Sequence, residues 1–379
     1  MPERILVVKL ADIGDLLTAT PALRAVRRRF PSATVDVLAP PHSAEVLRGL
    51  SSIDGLILFR KSQYDSPWQA LRPAPLIAAL RLAARLRSRR YDAILLLHHL
   101  VTRWGSLKYA LLTLAIGAPR RYGLDNGLGR AWFLTDRAID QGFGGAHEVD
   151  YWLRVASLLG ASASGLRPEV ALSPSDEEVA SRLLPPDSRP TVAIHAGSGA
   201  FGIARRWPVA GFATVANSLA DRHDARIVLV GGPEEVGLCR ELAALLRRPA
   251  LVLAGQTTLK ETAALLRRTD LFIGNDSGLM NLAVAVDTRV LAVFGLSNHR
   301  AWGPYGYQEW PAPADAHRPL RHLVVRVDLP CSPCFYHGHS TGSRFGCPTR
   351  DCLRLVTPDV VLSAAEALLR ERHASSVGW

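Results

Sequence analysis

The sequence contains no run of eighteen or so uncharged apolar residues, the length a helix needs to span a bilayer. A strand-like segment begins at Ile5, with none of the basic, apolar and small-residue series of a secretory leader before it. Together these absences predict a cytoplasmic chain. Acidic side chains are the scarcer charge, 34 Asp and Glu against 45 Lys and Arg, for a net charge of +11. Such a surplus suits an anionic partner: nucleic acid, an acidic membrane surface or a phosphorylated ligand. Arginines solvated on helix faces, as at Arg81, Arg85, Arg87, Arg89 and Arg90, account for it as well. No zinc-knuckle module and no aromatic nucleic-acid-binding strand is present, which sets nucleic acid aside. Cysteines number five in 379 residues. Cys239 stands alone in a helix-like segment and reads as core filler.

What is present is ample apolar content, 48 %, enough for packed cores in two or three domains. Ile5 to Val8 reads as a buried strand. After a loop holding Asp12, Gly14 and Asp15, Leu16, Leu17, Leu23 and Val26 carry a helical spacing that ends in Arg27 to Arg29. The alternation continues with strands at Thr34 to Leu38, Gly55 to Phe59 and Ala93 to Leu97. Helices are predicted at Ser43 to Leu50, Leu76 to Arg87, Trp104 to Ile116 and His147 to Leu159. The glycine-rich stretch from Gly117 to Gly145 reads as loose. Residues 161–175 form the linker, and a second series follows. Capping boxes at Ser175 with Glu178 and at Thr258 with Glu261 open two of its helices, and Trp207-Pro208 opens a third. Strands are expected at Thr191 to His195, Arg226 to Val230, Asp270 to Ile273 and Val290 to Phe294, with a possible last one at Leu323 to Val327. The pattern predicts two doubly wound, parallel α/β domains, 1–165 and 175–355, and a last helix over 357–373.

Strand-to-helix turns lie at the carboxyl edge of a parallel sheet, where such folds place ligands. In the first domain that makes Asp12 and Asp15 site carboxylates, although helix capping and the helix dipole explain them equally well. Nearby cations, Arg60, Lys61, Arg103, Lys108, Arg120 and Arg121, suit an acidic acceptor. In the second domain three loops are candidates: His195 to Pro208, Gly231-Gly-Pro-Glu234 and Asn275-Asp-Ser-Gly278. Glycine-freed backbone N–H groups, Arg205 or Arg206 and a helix N-terminus would hold a nucleotide diphosphate, with Glu234 on its ribose or base. One nucleotide-holding domain and one acceptor-holding domain is the layout of a transferase.

Ile5-Leu-Val-Val-Lys…Gly14-Asp15-Leu…Thr20-Pro21-Ala-Leu resembles the opening of glycosyltransferase family 9, the bacterial heptosyltransferases of lipopolysaccharide core synthesis. The resemblance runs on through His195-Ala…Arg205-Arg-Trp-Pro208, Gly232-Pro-Glu234 and Asn275-Asp-Ser-Gly-Leu-Met-Asn-Leu-Ala283. It implies a GT-B fold, two Rossmann-like domains facing across a cleft with the last helix crossing back to the first. It also implies inverting transfer from ADP-heptose to a lipopolysaccharide-core or other glycan acceptor, with no cofactor or metal required for the chemistry. By the motif match Asp15 is the general base, leaving Asp12 as the cap. Ser198, Arg205, Asp276, Ser277, Gly278 and Asn281 face the donor, Glu234 its nucleoside, and Arg60, Lys61 and Arg120 the acceptor. Two positions depart from the family pattern: many members have lysine where Arg205 stands and histidine where Asn281 stands. Both departures bear on the donor more than on the reaction type. Anionic inner membrane is an implied peripheral contact on its cytoplasmic face.

Cys331, Cys334, Cys347 and Cys352 have a spacing that suits a structural zinc, reduced packed thiols or, least for a cytosolic chain, disulfides. The same pattern occurs in part of the family. A nucleotide-sugar epimerase of the same fold, and a non-catalytic glycan- or membrane-binding protein, are the competing functions. An epimerase would consume donor without acceptor.

Overall fold

The computed structural model describes residues 2–162, 165–312 and 320–376. The chain divides after Pro168 into two compact units, with Gly338–Ser340 counted in the first. That division falls in the stretch read as linker, of which Ala163 and Ser164 lie outside the described residues.

The first unit contains β1 (Arg4–Val8), α1 (Ile13–Arg29), β2 (Thr34–Ala39), β3 (Gly55–Leu58), α2 (Pro67–Ala70), α3 (Pro73–Ser88), β4 (Ala93–Leu96), α4 (Arg103–Ile116), β5 (Arg120–Asp125), β6 (Asp136–Ile139) and α5 (Glu148–Ser157). Its six strands are all parallel, in the order β3-β2-β1-β4-β5-β6. β1 and β4 are central and buried along their apolar runs, which is why they read as continuous hydrophobic segments. α1 passes through Pro21, whose ring leaves the Leu17 carbonyl without its helical N–H. The Thr20 hydroxyl donates to that carbonyl instead, at 2.8 Å. Ser43 to Leu50 yields only a short 3-10 turn, Ala44–Leu47. Gly117 to Gly145, expected to be loose, contributes β5 and β6.

The second unit contains α6 (Pro174–Leu183), β7 (Thr191–His195), α7 (Val209–His223), β8 (Arg226–Leu229), α8 (Val236–Ala244), β9 (Leu251–Val252), α9 (Leu259–Arg267), β10 (Leu271–Asn275), α10 (Gly278–Ala285), β11 (Val290–Val293), α11 (His299–Trp302), β12 (Gln308–Glu309), β13 (His322–Val325), the two-stranded ribbon β14 (Phe335–His337) and β15 (Ser340–Gly342), α12 (Asp351–Arg354) and α13 (Pro358–Ser376). Its main sheet is parallel, in the order β12-β13-β11-β10-β7-β8-β9. The doubly wound expectation is met in both units. The capping box of α6 lies two residues earlier than expected, on Ser173 and Asp176, because Pro174 takes the first helical position. Thr258 and Glu261 form theirs as expected. Pro208 is the N-cap of α7, just outside its first turn.

The last helix belongs to the second unit. Val361, Ala364, Ala365 and Leu368 of α13 join the core of the second unit, and the helix packs on α7, β10, β11 and β13. No described helix is long and apolar enough to cross a membrane.

Candidate functional site

In the second unit β7 pairs in register with β8 and β10, so the loops after these strands leave adjacent strand ends. His195 closes β7 fully buried, with Nδ1 3.1 Å from Ser277 Oγ and Nε2 2.8 Å from Glu235 Oε2. Glu235 Oε1 accepts the backbone N–H groups of Ser198 and Gly199, both at 2.9 Å. Its Oε2 accepts that of Gly232 at 3.1 Å. Burial opposes charge on this carboxylate, yet His195 and these N–H donors bring its pKa down to about 2. A Cβ on Gly197 would fall 2.0 Å from Glu235 Oε1, so the loop needs glycine there.

Asn275, fully buried, ties the first loop to the third. Its Oδ1 accepts from the Trp207 backbone at 2.9 Å, and its Nδ2 donates to the carbonyls of Ala196 and Gly197. Arg205 Nη1 donates to Asp276 Oδ2 at 2.9 Å, beside the start of α10. Ser277 caps that helix by accepting the Met280 N–H. Ser198 Oγ donates to Gly202 O at 2.7 Å and accepts from Arg206 Nε at 3.2 Å. Asn281 is buried one turn in, its Nδ2 3.5 Å from Ser277 O. Six expected donor residues, Ser198, Arg205, Asp276, Ser277, Gly278 and Asn281, therefore share one strand edge. The start of α10 and the Arg205 and Arg206 guanidiniums meet there, Arg205 paired with Asp276 and Arg206 with Glu235, while the Ser198, Gly199 and Gly232 N–H groups are taken by Glu235.

Glu234 is exposed, whereas the adjacent Glu235 is 3 % exposed and holds the loops together. Sequence reasoning missed Glu235. Its signal was the three-residue spacing from Gly232, which places Glu235 where a capping box turns its carboxylate back to the Gly232 N–H.

In the first unit Asp12 is the N-cap residue of α1, but its side chain makes no capping bond. It is 74 % exposed and pairs with His42 Nε2 at 3.0 Å, a correction to its reading as a cap. Asp15, in the first turn, is 29 % exposed, and its Oδ1 lies 3.8 Å from Lys9 Nζ. Lys9 is buried with its ammonium 3.8 Å from the centre of the Trp152 ring. Burial lowers the Lys9 pKa, opposed chiefly by the charges of Asp15 and Glu148. Lys61 Nζ donates to Leu10 O at 3.1 Å. His98 Nε2 accepts the Leu10 N–H, and burial among Lys9, Lys61 and Lys108 holds this imidazole neutral. Arg60 is exposed beside Lys61. Arg120 is misplaced for the acceptor role. It pairs in register with Ala93, the first residue of β4, so it stands at the amino end of β5, the opposite edge from Asp15, and it bridges Asp136.

The first unit also holds a buried group that the sequence did not reveal. His99 Nδ1 lies 2.9 Å from Asp140 Oδ2, and its Nε2 2.9 Å from Glu148 Oε1. Burial opposes protonation, but the two carboxylates win and raise its pKa to about 9. A raised histidine pKa gives stability that is complete below the unfolded value of 6.5 and disappears as pH rises through about 9. The first unit is expected to lose on the order of 3 kcal/mol over that window. Thermal melts of the protein and of His99→Gln at both ends of the window check it. A fall of equal size in the variant would reject the assignment.

Cys331, Cys334 and Cys347 are exposed, while Cys352 is buried against Gly295 and Leu353, with its thiol pushed up to about 11 by burial. Among the described residues no three His, Cys, Asp or Glu side chains are arranged to hold a metal ion. Cys352 turns into the core, within electrostatic reach of Cys331, Cys334 and Cys347, whose charges help to raise its pKa. Cys239 is core filler, as expected.

Two parallel Rossmann-like sheets, one with two arginines and a helix start at its strand ends and the other with an edge carboxylate, are the parts of a nucleotide-sugar-dependent glycosyltransferase. The chain belongs to glycosyltransferase family 9 (heptosyltransferase), whose sequence pattern matches residues 79–315. It is 26 % identical to lipopolysaccharide heptosyltransferase 2 of Escherichia coli K12, over 98 % of this chain and all of that one. It is 29 % identical to lipooligosaccharide heptosyltransferase 2 of Campylobacter jejuni over 46 % of this chain, and spans about half (49 %) of that relative's length. The solved structure of the E. coli ADP-heptose lipopolysaccharide heptosyltransferase II superposes with a TM-score of 0.71, at 23 % identity over 98 % of this chain and 99 % of that one. That likeness gives the GT-B fold.

Proposed function

We propose that this chain is an inverting transferase that moves a heptose from ADP-heptose onto a lipopolysaccharide-core or other glycan hydroxyl. The observation that carries the reading is the second unit's loop cluster, where Arg205, Ser198 and the capped start of α10 converge. The pyrophosphate lies against these groups, Glu234 meets the nucleoside, and Asn281 reaches the sugar or its phosphate. In the first unit Asp15 takes the proton of the attacking hydroxyl. The new bond joins that oxygen to the anomeric carbon as the bond to the ADP oxygen breaks, with inversion. Arg205 and the helix end stabilise the departing diphosphate. No metal takes part in these steps. A zinc on the four cysteines would only staple the 331–352 excursion, and metal analysis of the purified protein counts it. Arg60 and Lys61 hold an acidic, lipid-linked acceptor, and the protein works at the cytoplasmic face of an anionic membrane.

A thermal-shift panel of ADP-, UDP-, GDP- and dTDP-sugars tests the donor. A ligand at about a hundred times its Kd adds about 2.7 kcal/mol to the folded state, a rise of several degrees. The rise is expected with ADP-sugars alone. A response confined to UDP-sugars would overturn the heptose reading.

A further inference from the structure

We infer that the α2–α4 face of the first unit docks on an anionic lipid surface. The inference rests on the reading above for what docking serves, not for docking itself. α3 packs on α4, and both turn apolar side chains to solvent: Leu76, Ile77 and Leu80 on α3, and Leu107, Leu111 and Leu114 on α4. The α4 positions fall at i, i+4 and i+7, a single stripe. Trp68 on α2 is 82 % exposed, an indole of the kind that sits at a membrane–water interface. Isolated exposed leucines are ordinary, but two stripes on neighbouring helices are not.

Charge selects the occupant. From Asp65 to Leu124 the chain has ten Lys or Arg and two carboxylates, Asp92 and Asp65, the latter beside Lys108. Asp92 is taken up by the backbone N–H groups of Glu3 and Arg4. Arg81 and Arg85 are exposed on α3 beside its apolar face. Apolar side chains flanked by arginines, with Asp65 offset by Lys108, match acyl chains beneath anionic headgroups. A second copy seated on the same face would set this cationic surface against itself. An acidic protein would meet the arginines but not need the exposed indole.

Flotation of the full chain with vesicles of phosphatidylcholine mixed with phosphatidylglycerol tests the inference. Binding is expected, weaker by about tenfold or more on phosphatidylcholine alone and falling with added salt. Leu80→Asp with Leu111→Asp, and separately Arg81→Glu with Arg85→Glu, are each expected to lose about tenfold. If the leucine pair melts below the parent, the arginine pair decides. Parent-like flotation of the well-folded variants overturns the inference, as does no binding by the parent. A dimer broken by the leucine pair, with no vesicle binding, assigns the face to a second copy and also overturns it. Transfer onto a soluble saccharide without vesicles, measured in parallel, is expected to be unchanged in both variants. Its absence in the parent would count against the transferase reading and leave docking intact.

Discussion

Asp15→Ala is expected to lose about 10²- to 10⁴-fold in turnover, the range for removal of a general base, while ADP-sugar affinity stays within about twofold. The split follows from where the groups stand. Asp15 lies in the first turn of α1, in the first unit, while every group expected to hold the nucleotide lies in the second. Its carboxylate is partly exposed, so substrate can reach it, and its Oδ1 lies 3.8 Å from Lys9 Nζ. Alanine also strips Lys9 of its near counter-charge, and a buried ammonium is sensitive to that. Asp15→Asn is therefore the stricter variant, since it keeps the volume and removes only basicity. Both are expected to fail in single-turnover assays and to bind donor by calorimetry. Asp12→Ala, which breaks only an exposed pair with His42, is expected to behave as the parent. Parent-like turnover by Asp15→Asn would remove Asp15 as the base.

Much of the framework was legible because strand and helix periods are strong where both sides are buried. β1 and the start of α1 read directly from Ile5 to Val8 and the leucine spacing after it. The donor loops were legible as loops because glycine and a following helix mark them. The failures share a physical cause, which is that side-chain direction and partner choice are set by tertiary register. β5 and β6 are short and half-exposed, and exist by pairing along β4. Until β5 is known, Arg120 cannot be placed at the amino edge. Asp12 has the residue type and position of a cap, but His42, thirty positions on, takes its carboxylate. His99 shows no pattern in sequence, because its carboxylates come from β6's following loop and from α5. Glu235 was missed beside Glu234, since a single 3-10 turn decides which of two adjacent acids points inward.

That one-residue difference gives the second large effect. Glu235→Ala is expected to destabilise the second unit by about 3–5 kcal/mol, on the order of 10 °C in melting temperature, and to abolish donor binding. The carboxylate is the common acceptor for Ser198, Gly199 and Gly232 and the partner of His195, so its removal strands several buried donors at once. Through His195 the loss reaches Ser277 at the start of α10, and through Ser198 it reaches the loop that carries Arg205. The pH dependence carries the same sign. A carboxylate held near pKa 2 supplies stability in full above its unfolded value of 4.5 and loses it as pH falls from there through about 2. The parent should therefore show an acid-side loss in that window that Glu235→Gln lacks. Glu234→Ala is the control, because its exposed side chain leaves the melting temperature within about a degree, and only its nucleoside contact can weaken donor binding. Equal melting of the Glu235→Ala variant and the parent would show that the three loops hold their shape without this carboxylate, and the donor cradle would need another keystone.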